Sequence, residues 1–193
     1  MKYIRLFFLA TIAFLLSVAC LKSYAQSPYK ASVGGIVYGL ALGPSFKAFF
    51  TNHVAFQTDM FLKGVLSAGK DVNTNRIGFA PYLSVETNVN LIYQKKIKEK
   101  TYTELFLLAG GGVSLGYSWT PGSGKFGINA IMGLEYVFKN IPLAIQIDLR
   151  PGYGLLFNSN YKYVDAIFFT HNNPWSHFDW CIPLTFRYSF KEK

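Results

Sequence analysis

Phe126–Phe157 reads FGINAIMGLEYVFKNIPLAIQIDLRPGYGLLF. Taken two residues at a time, Phe126, Ile128, Ala130, Met132, Leu134, Tyr136 and Phe138 form one row, and Gly127, Asn129, Ile131, Gly133, Glu135 and Val137 the other. A break at Lys139-Asn140-Ile141-Pro142 follows, and the alternation resumes. Leu143, Ile145, Ile147, Leu149, Pro151, Tyr153, Leu155 and Phe157 then oppose Ala144, Gln146, Asp148, Arg150, Gly152 and Gly154. Side chains alternate across a strand, so this pattern predicts a hairpin with one apolar face and one small, polar or charged face. Each arm exceeds the usual soluble strand of about 5–6 residues and meets the roughly 9–11 residues of a tilted membrane crossing.

Upstream, Lys2 and Arg5 precede a nearly unbroken apolar run, Leu6 to Ala19, and Ser23-Tyr24-Ala25 offers small residues before Gln26. This predicts a secretory signal peptide over 1–25, too short for a membrane helix of about 20 residues. Ser17-Val18-Ala19-Cys20 matches a lipoprotein processing site only in part, since Ser17 stands where leucine is usual. The expected mature chain, 26–193, is one domain. It keeps Cys181 as its only cysteine, so no internal disulfide is expected. The net charge is +9 for the whole chain, with 19 cations and 10 acids; losing Lys2, Arg5 and Lys22 leaves +6. The lysines cluster at one turn and the acids lie within strands, so nucleic acid is not an expected partner. Aromatic residues make up 18% of the chain, which suits strands and membrane interfaces.

The same alternation predicts eight strands: Tyr29–Gly39, Leu42–Phe50, Val54–Lys63, Ile77–Gln94, Tyr102–Trp119, Phe126–Phe138, Leu143–Phe157 and Phe178–Phe190. The register of the first is blurred by Gly34 and Gly35. Between them, 51–53, 95–100 and 139–142 read as short turns, and 64–76, 120–125 and 158–177 as longer loops; only the first bend is short where a loop is expected. Short turns at one end and long loops at the other are the pattern of an all-β, eight-stranded antiparallel up-and-down transmembrane barrel.

The acids choose which face looks inward. Asp59, Glu86, Glu104, Glu135, Asp148 and Asp179 sit in the small and polar rows, with Lys47, Lys63, Arg150 and Arg187. Burying them demands partners, so a lumen of internal ion pairs is expected, with glycines of the same rows making room. A soluble barrel of the lipocalin kind would turn the apolar rows inward, but eight strands cannot hold so many large aromatics and keep a pocket. The aromatics gather toward strand ends. Tyr93, Tyr102, Tyr136, Phe138, Tyr188 and Phe190 lie toward the turns, and Tyr117, Trp119 and Trp180 toward the loops, as two interfacial girdles.

Gly43-Pro44-Ser45-Phe46-Lys47, Gly133-Leu134-Glu135-Tyr136 with Asn140-Ile141-Pro142-Leu143, Asp148-Leu149-Arg150-Pro151 and the terminal Phe186-Arg187-Tyr188-Ser189-Phe190 carry a resemblance. In these, and in their order over nearly the whole mature chain, the sequence resembles the small outer-membrane β-barrel proteins of the Bacteroidetes type, related in architecture to OmpA-type barrels. The resemblance implies an outer-membrane location, lipid as surroundings and the barrel-assembly machinery as a partner during insertion; it implies no settled activity. The aromatic end resembles the signal that this machinery reads, with Lys191-Glu192-Lys193 following it.

Chemistry is sparse. His53 lies in a turn; His171 and His177 lie near Ser176 and Asp179 in or beside the longest loop. A lipid-modifying site needs a serine and its base to meet, and strand neighbours point to opposite faces. No ligand spacing supports a metal. Cys181 reads as a packed small residue. Glu135, Asp148 and Arg150 read as ion pairs before they read as paired catalytic carboxylates. Gly110-Gly111-Gly112 lacks the strand-to-helix context of a nucleotide loop, and Gly124-Lys125 lacks the upstream glycine of a phosphate loop, so no cofactor is expected. The expected role is structural or adhesive, through a surface ligand at loops 65–76, 119–125 and 158–177. A narrow channel for ions or small solutes is the second reading, and a lipid-modifying barrel enzyme the third.

Overall fold

The computed structural model describes residues 29–70, 77–119, 122–157, 162–165, 170–172 and 176–190; side chains at 65–82, 156, 162–165, 170–172, 176–177 and 179 are outside the description. The predicted signal peptide, 1–25, also lies outside the described residues.

Seven strands come first: β1 (Ala31–Tyr38), β2 (Ala41–Phe49), β3 (Val54–Lys70), β4 (Ile77–Glu99), β5 (Thr103–Ser118), β6 (Ser123–Phe138) and β7 (Leu143–Phe157). Then come two short strands, β8 (Lys162–Asp165) and β9 (Thr170–Asn172), followed by β10 (Ser176–Cys181) and β11 (Leu184–Phe190). From β1 to β7 successive strands pair antiparallel, and β1 closes the sheet on β11, from Ala31 opposite Phe190 to Val37 opposite Leu184. β10 and β11 are one stave. Cys181 lies opposite Arg150 and Leu184 opposite Ile147 in a single register along β7, interrupted where Pro183 has no N–H to give the ladder. The result is a closed all-β barrel of eight antiparallel staves.

The first register is now defined. Gly34 lies opposite both Arg187 and Ser45, which puts Ser32 and Ile36 inside and leaves Val33 and Val37 exposed. The β1–β2 connection is a two-residue turn at Gly39-Leu40, and Gly39 takes φ 54°, a conformation that only glycine adopts freely.

That hairpin is short, and the wall above it is built from another part of the chain. β3 runs past the tip of β2 and pairs with β8, Gly69 opposite Tyr163 and Lys70 opposite Lys162. β8 pairs with β9, and β9 with β10, His177 opposite Asn172 and Phe178 opposite His171. Near the turns the ring is therefore β1, β2, β3, β4, β5, β6, β7 and β11. Near the loops it is β8, β3, β4, β5, β6, β7, β10 and β9. The segment read from sequence as the loop 158–177 thus contributes two strands of the wall. The segment read as the loop 64–76 likewise carries β3 as far as Lys70.

Two more boundaries differ. The lysine run at 95–100 is strand to Glu99, because a bulge between Lys96 and Lys98 lets the β4–β5 ladder continue to Glu99 opposite Glu104. The β5–β6 connection is only 119–122, since β6 begins at Ser123, with Gly122 at φ 82°. The loop end therefore mixes short and long connections.

Residues Leu42, Leu91, Ile128, Met132, Ile147 and Tyr153 are exposed on the outside, at 48–65%. Inside, the polar rows are joined at the turn end by an apolar layer of Tyr29, Phe49, Ala55, Phe106, Val137 and Ala144, and along β4–β6 by Ile92, Leu108 and Ile131.

β8 and β9 are held on each edge by the few pairs named above, whereas β4, β5 and β6 are paired along most of their length. Local opening follows such differences. In hydrogen–deuterium exchange of the refolded barrel, amides of β8 and β9 are expected to exchange first and those of β5 last. Equal protection in β5 and β8 would mean that the hairpin is as firm a part of the wall as its neighbours.

Candidate functional site

The inward charges and amides meet in one buried network. Glu135 of β6 is its hub. Its Oε1 accepts from Tyr29 Oη at 2.7 Å and Arg187 Nη1 at 3.1 Å. Its Oε2 accepts from Lys47 Nζ at 3.0 Å and Gln94 Nε2 at 2.8 Å. Lys47 also donates to Gln94 Oε1 at 2.5 Å. One carboxylate thus ties β2, β4, β6 and β11 across the lumen.

From Arg187 the network continues as a circuit. Its Nε donates to Ser45 Oγ at 2.9 Å, and Ser45 donates to Asp59 Oδ1 at 2.5 Å. Asp59 Oδ2 accepts from Gln57 Nε2 at 2.7 Å and Arg150 Nη1 at 2.6 Å. Arg150 grips Asp148 through Nε and through Nη2, the latter at 3.1 Å. Asp148 Oδ2 accepts from Gln146, whose Oε1 accepts from Arg187 Nη1 at 2.8 Å, closing the ring. Lys47, Asp59, Glu135, Asp148, Arg150 and Arg187 are all fully or nearly fully buried. Three cations face three acids, so the circuit is neutral.

Toward the loops a second cluster forms. Glu86 Oε2 accepts from Lys63 Nζ and from Lys125 Nζ, both at 2.9 Å. A recess of mixed character there is lined by Lys63, Glu86, Asn88, Asn129 and Arg150 together with Tyr38, Phe61 and Trp180.

Glycines set these meetings. Glu86, Gly116 and Lys125 are register partners on three adjacent staves, and the absent side chain at Gly116 lets its two neighbours reach each other. A Cβ there would be in ordinary contact with Lys125 Cβ at 3.5 Å and Glu86 Cβ at 3.6 Å, and its tight contact would be with the Val85 carbonyl oxygen at 3.2 Å. Asn90, Gly112 and Asn129 repeat the device, with Asn129 Nδ2 donating to Asn90 Oδ1 at 2.6 Å. Arg187, Gly34 and Ser45 do so a third time, and a Cβ at Gly34 would strike the Phe186 carbonyl.

Of the residues expected to form lumen ion pairs, Lys47, Asp59, Lys63, Glu86, Glu135, Asp148, Arg150 and Arg187 lie in these two clusters. Glu104 is elsewhere: it pairs with exposed Lys96 at 3.3 Å at the turn rim. Asp179 lies opposite Gly152 in the ladder, and its side chain is outside the described residues. Lys125 was hidden from the sequence reading because Gly122 and Gly124 made it look like loop. Phe106 and Leu108 were hidden because Leu105-Phe106-Leu107-Leu108 is apolar on both faces and carries no alternation. Among the expected girdle residues, Tyr93, Tyr102, Tyr136, Tyr188 and Phe190 are exposed toward the turns and Tyr117, Trp119 and Trp180 toward the loops; Phe138 is half-buried.

His53 lies in its turn, with Nδ1 3.2 Å from the Gln94 carbonyl oxygen. Ser176 and His177 are consecutive in β10, opposite Leu155 and Gly154; their side chains, and that of His171, lie outside the described residues. Cys181 is half-buried and in no disulfide. Among the described residues no group of three His, Cys, Asp or Glu is placed to hold a metal, and no helix is long and apolar enough to cross a membrane, which says nothing of a β-barrel.

No protein-family model matches the chain, and no curated protein matches it. Among solved structures, the N-terminal β-barrel domain of Pseudomonas aeruginosa OprF is similar to it, with a TM-score of 0.40 and 11% identity over 81% of this chain and 94% of that one.

Removing one partner of a buried ion pair leaves an uncompensated charge, at a cost of about 3–5 kcal/mol. Glu135→Ala, which abandons both Lys47 and Arg187, is expected to lower unfolding stability by about that much. Denaturant unfolding of the refolded barrel reads it. At the turn rim, hydrogen bonds from Lys139 at 2.6 Å and Lys96 at 2.7 Å hold the exposed Glu99 carboxyl down to about 2. A carboxylate depressed in this way favours the fold above its ordinary unfolded value near 4.3, and that contribution fades as pH falls through about 2. Carboxyl NMR titration should show Glu99 titrating there, and Lys139→Met should move it upward.

Proposed function

We propose that the chain is an integral outer-membrane β-barrel, exported by the signal peptide read at 1–25, with a structural or surface-interaction role and a lumen filled by its own side chains. The observation that carries this reading is the inversion of its faces. The charged groups of the strand interiors, Lys47, Asp59, Glu135, Asp148, Arg150 and Arg187, are inside and paired, while Val33, Leu42, Leu62, Leu91, Leu107, Ile128, Ile147 and Phe186, from eight strands around the ring, are exposed at 43–62%. A water-soluble monomer rarely exposes a continuous apolar patch above a few hundred Å². Lipid accepts such a belt.

The dimensions agree. Phe126 and Tyr136 mark the two ends of the belt on β6. Ten residues at about 3.3 Å each span about 33 Å along the strand, and a tilt of about 40° makes that about 25 Å along the axis, the height of an outer-membrane apolar band. The exposed aromatics at both limits supply interfacial girdles. In this orientation the turn end faces the periplasm and the opposite end of the barrel faces outward, where a surface ligand would bind.

The interior supports a closed lumen over a channel. The recess beside Glu86 has Arg150 in its lining, which is paired with Asp59 and Asp148, and an apolar layer that includes Phe49 and Phe106 lies at the turn end. Ser176 and His177, the serine and base of the lipid-modifying reading, have side chains outside the described residues.

The mature protein refolded in detergent is expected to migrate faster unboiled than boiled and to show no openings in planar bilayers. Solubility as a monomer in plain buffer would overturn the membrane assignment. Steady single-channel conductance would overturn the closed lumen alone.

A further inference from the structure

The turn end of β4 carries a charge pattern that the lumen network does not use. The last ladder pair of β4 with β3 is Val54 opposite Tyr93, and beyond it β4 continues to Glu99 paired only with β5 among the described residues. Lys95, Lys96, Lys98 and Lys100 lie on this extension or in the turn after it, and all are exposed. The acids in reach are Glu99 and Glu104. Both are taken, Glu99 by Lys96 and Lys139 and Glu104 by Lys96. Lys95, Lys98 and Lys100 have no acid partner among the described residues.

Beside the paired Lys96, Glu99 and Glu104, exposed aromatic and apolar side chains neighbour these three lysines in the chain. Tyr93 is 50% exposed, Tyr102 64% and Ile97 52%. The bulge between Lys96 and Lys98 interrupts the alternation, so lysine follows lysine around an exposed isoleucine. Long basic side chains just beyond tyrosines suit the headgroup layer, where the ring rests at the interface and the ammonium reaches the phosphates.

We propose that this end of the β4–β5 hairpin is a docking surface for anionic phospholipid headgroups in the leaflet around the turn end, with Lys95, Lys98 and Lys100 as its charge-bearing contacts. This rests on the membrane reading above. A surface-bound lysine near anionic lipid gains about 1 kcal/mol, roughly fivefold in affinity, and three together about a hundredfold. The attraction is screened by salt over roughly 10 Å at 0.1 M. An alternative role for these lysines is to blunt the free edge of β4 against pairing with another chain, which would make them indifferent to lipid charge.

The test refolds the full mature chain into vesicles of phosphatidylcholine alone or with about a third phosphatidylglycerol, and follows urea unfolding at low and at high salt. The triple variant K95Q/K98Q/K100Q is compared with the parent. The parent is expected to unfold at higher urea in the anionic vesicles, with the gain lost at high salt and nearly absent in the variant. Free inorganic phosphate at equal charge is expected to leave the parent unchanged in neutral vesicles; a matching stabilisation by phosphate would overturn lipid as the source. A parent that inserts in both vesicles with the same midpoint would overturn the docking surface and leave the barrel assignment standing. A parent that enters neither vesicle would overturn the membrane reading itself. A variant that keeps the full lipid response but aggregates would assign the lysines to edge protection instead.

Discussion

The Glu135 carboxylate is the constraint on which the interior depends. It is fully buried and accepts from Tyr29, Lys47, Gln94 and Arg187. A carboxylate buried in this way is tolerable in its ionised form only when its lone pairs are met and its charge is answered. Two cations answer it, and that surplus is in turn balanced by Asp59 and Asp148 through the circuit that includes Arg150. The staves are thus joined twice, by backbone ladders around the wall and by side chains across it. Such cross-lumen bonds fix which stave faces which, because a one-residue slip would turn every polar group outward.

Space for this network comes from glycine. Arg187 reaches Ser45 over Gly34, Lys125 reaches Glu86 over Gly116, and Asn129 reaches Asn90 over Gly112. In each case the small residue lies on the stave between two larger ones in the same ladder row. An eight-stave barrel has an interior wide enough only for side chains, so a large group at one position requires a small one beside it. The apolar residues that share the lumen at the turn end serve the same filling purpose without needing partners.

The wall shows a division of labour of another kind. β3 to β7 run its full height, while β1–β2 complete it near the turns and β8–β9 near the loops. The second pair comes from the longest connection in the chain. A connection that pairs with the exposed edges of β3 and β10 covers backbone groups that a short hairpin would leave open.

The sequence alone determined the all-β class, the faces of most strands and the group of residues that would need burial partners. Alternation is a local, period-two signal, and Glu135, Asp148, Arg150 and Arg187 each occupied the small and polar row without ambiguity. Where the local signal lapsed, the reading lapsed: Phe106 and Leu108 within an apolar run, Lys125 between glycines, and β8 and β9 within a segment of mixed character. Tertiary structure alone decided which charges meet. Lys47 and Glu135 are 88 positions apart and Arg187 and Ser45 142. Their distance in space is set by the stagger of the staves and the closure of β1 on β11, quantities that accumulate around the ring and leave no trace in any single strand.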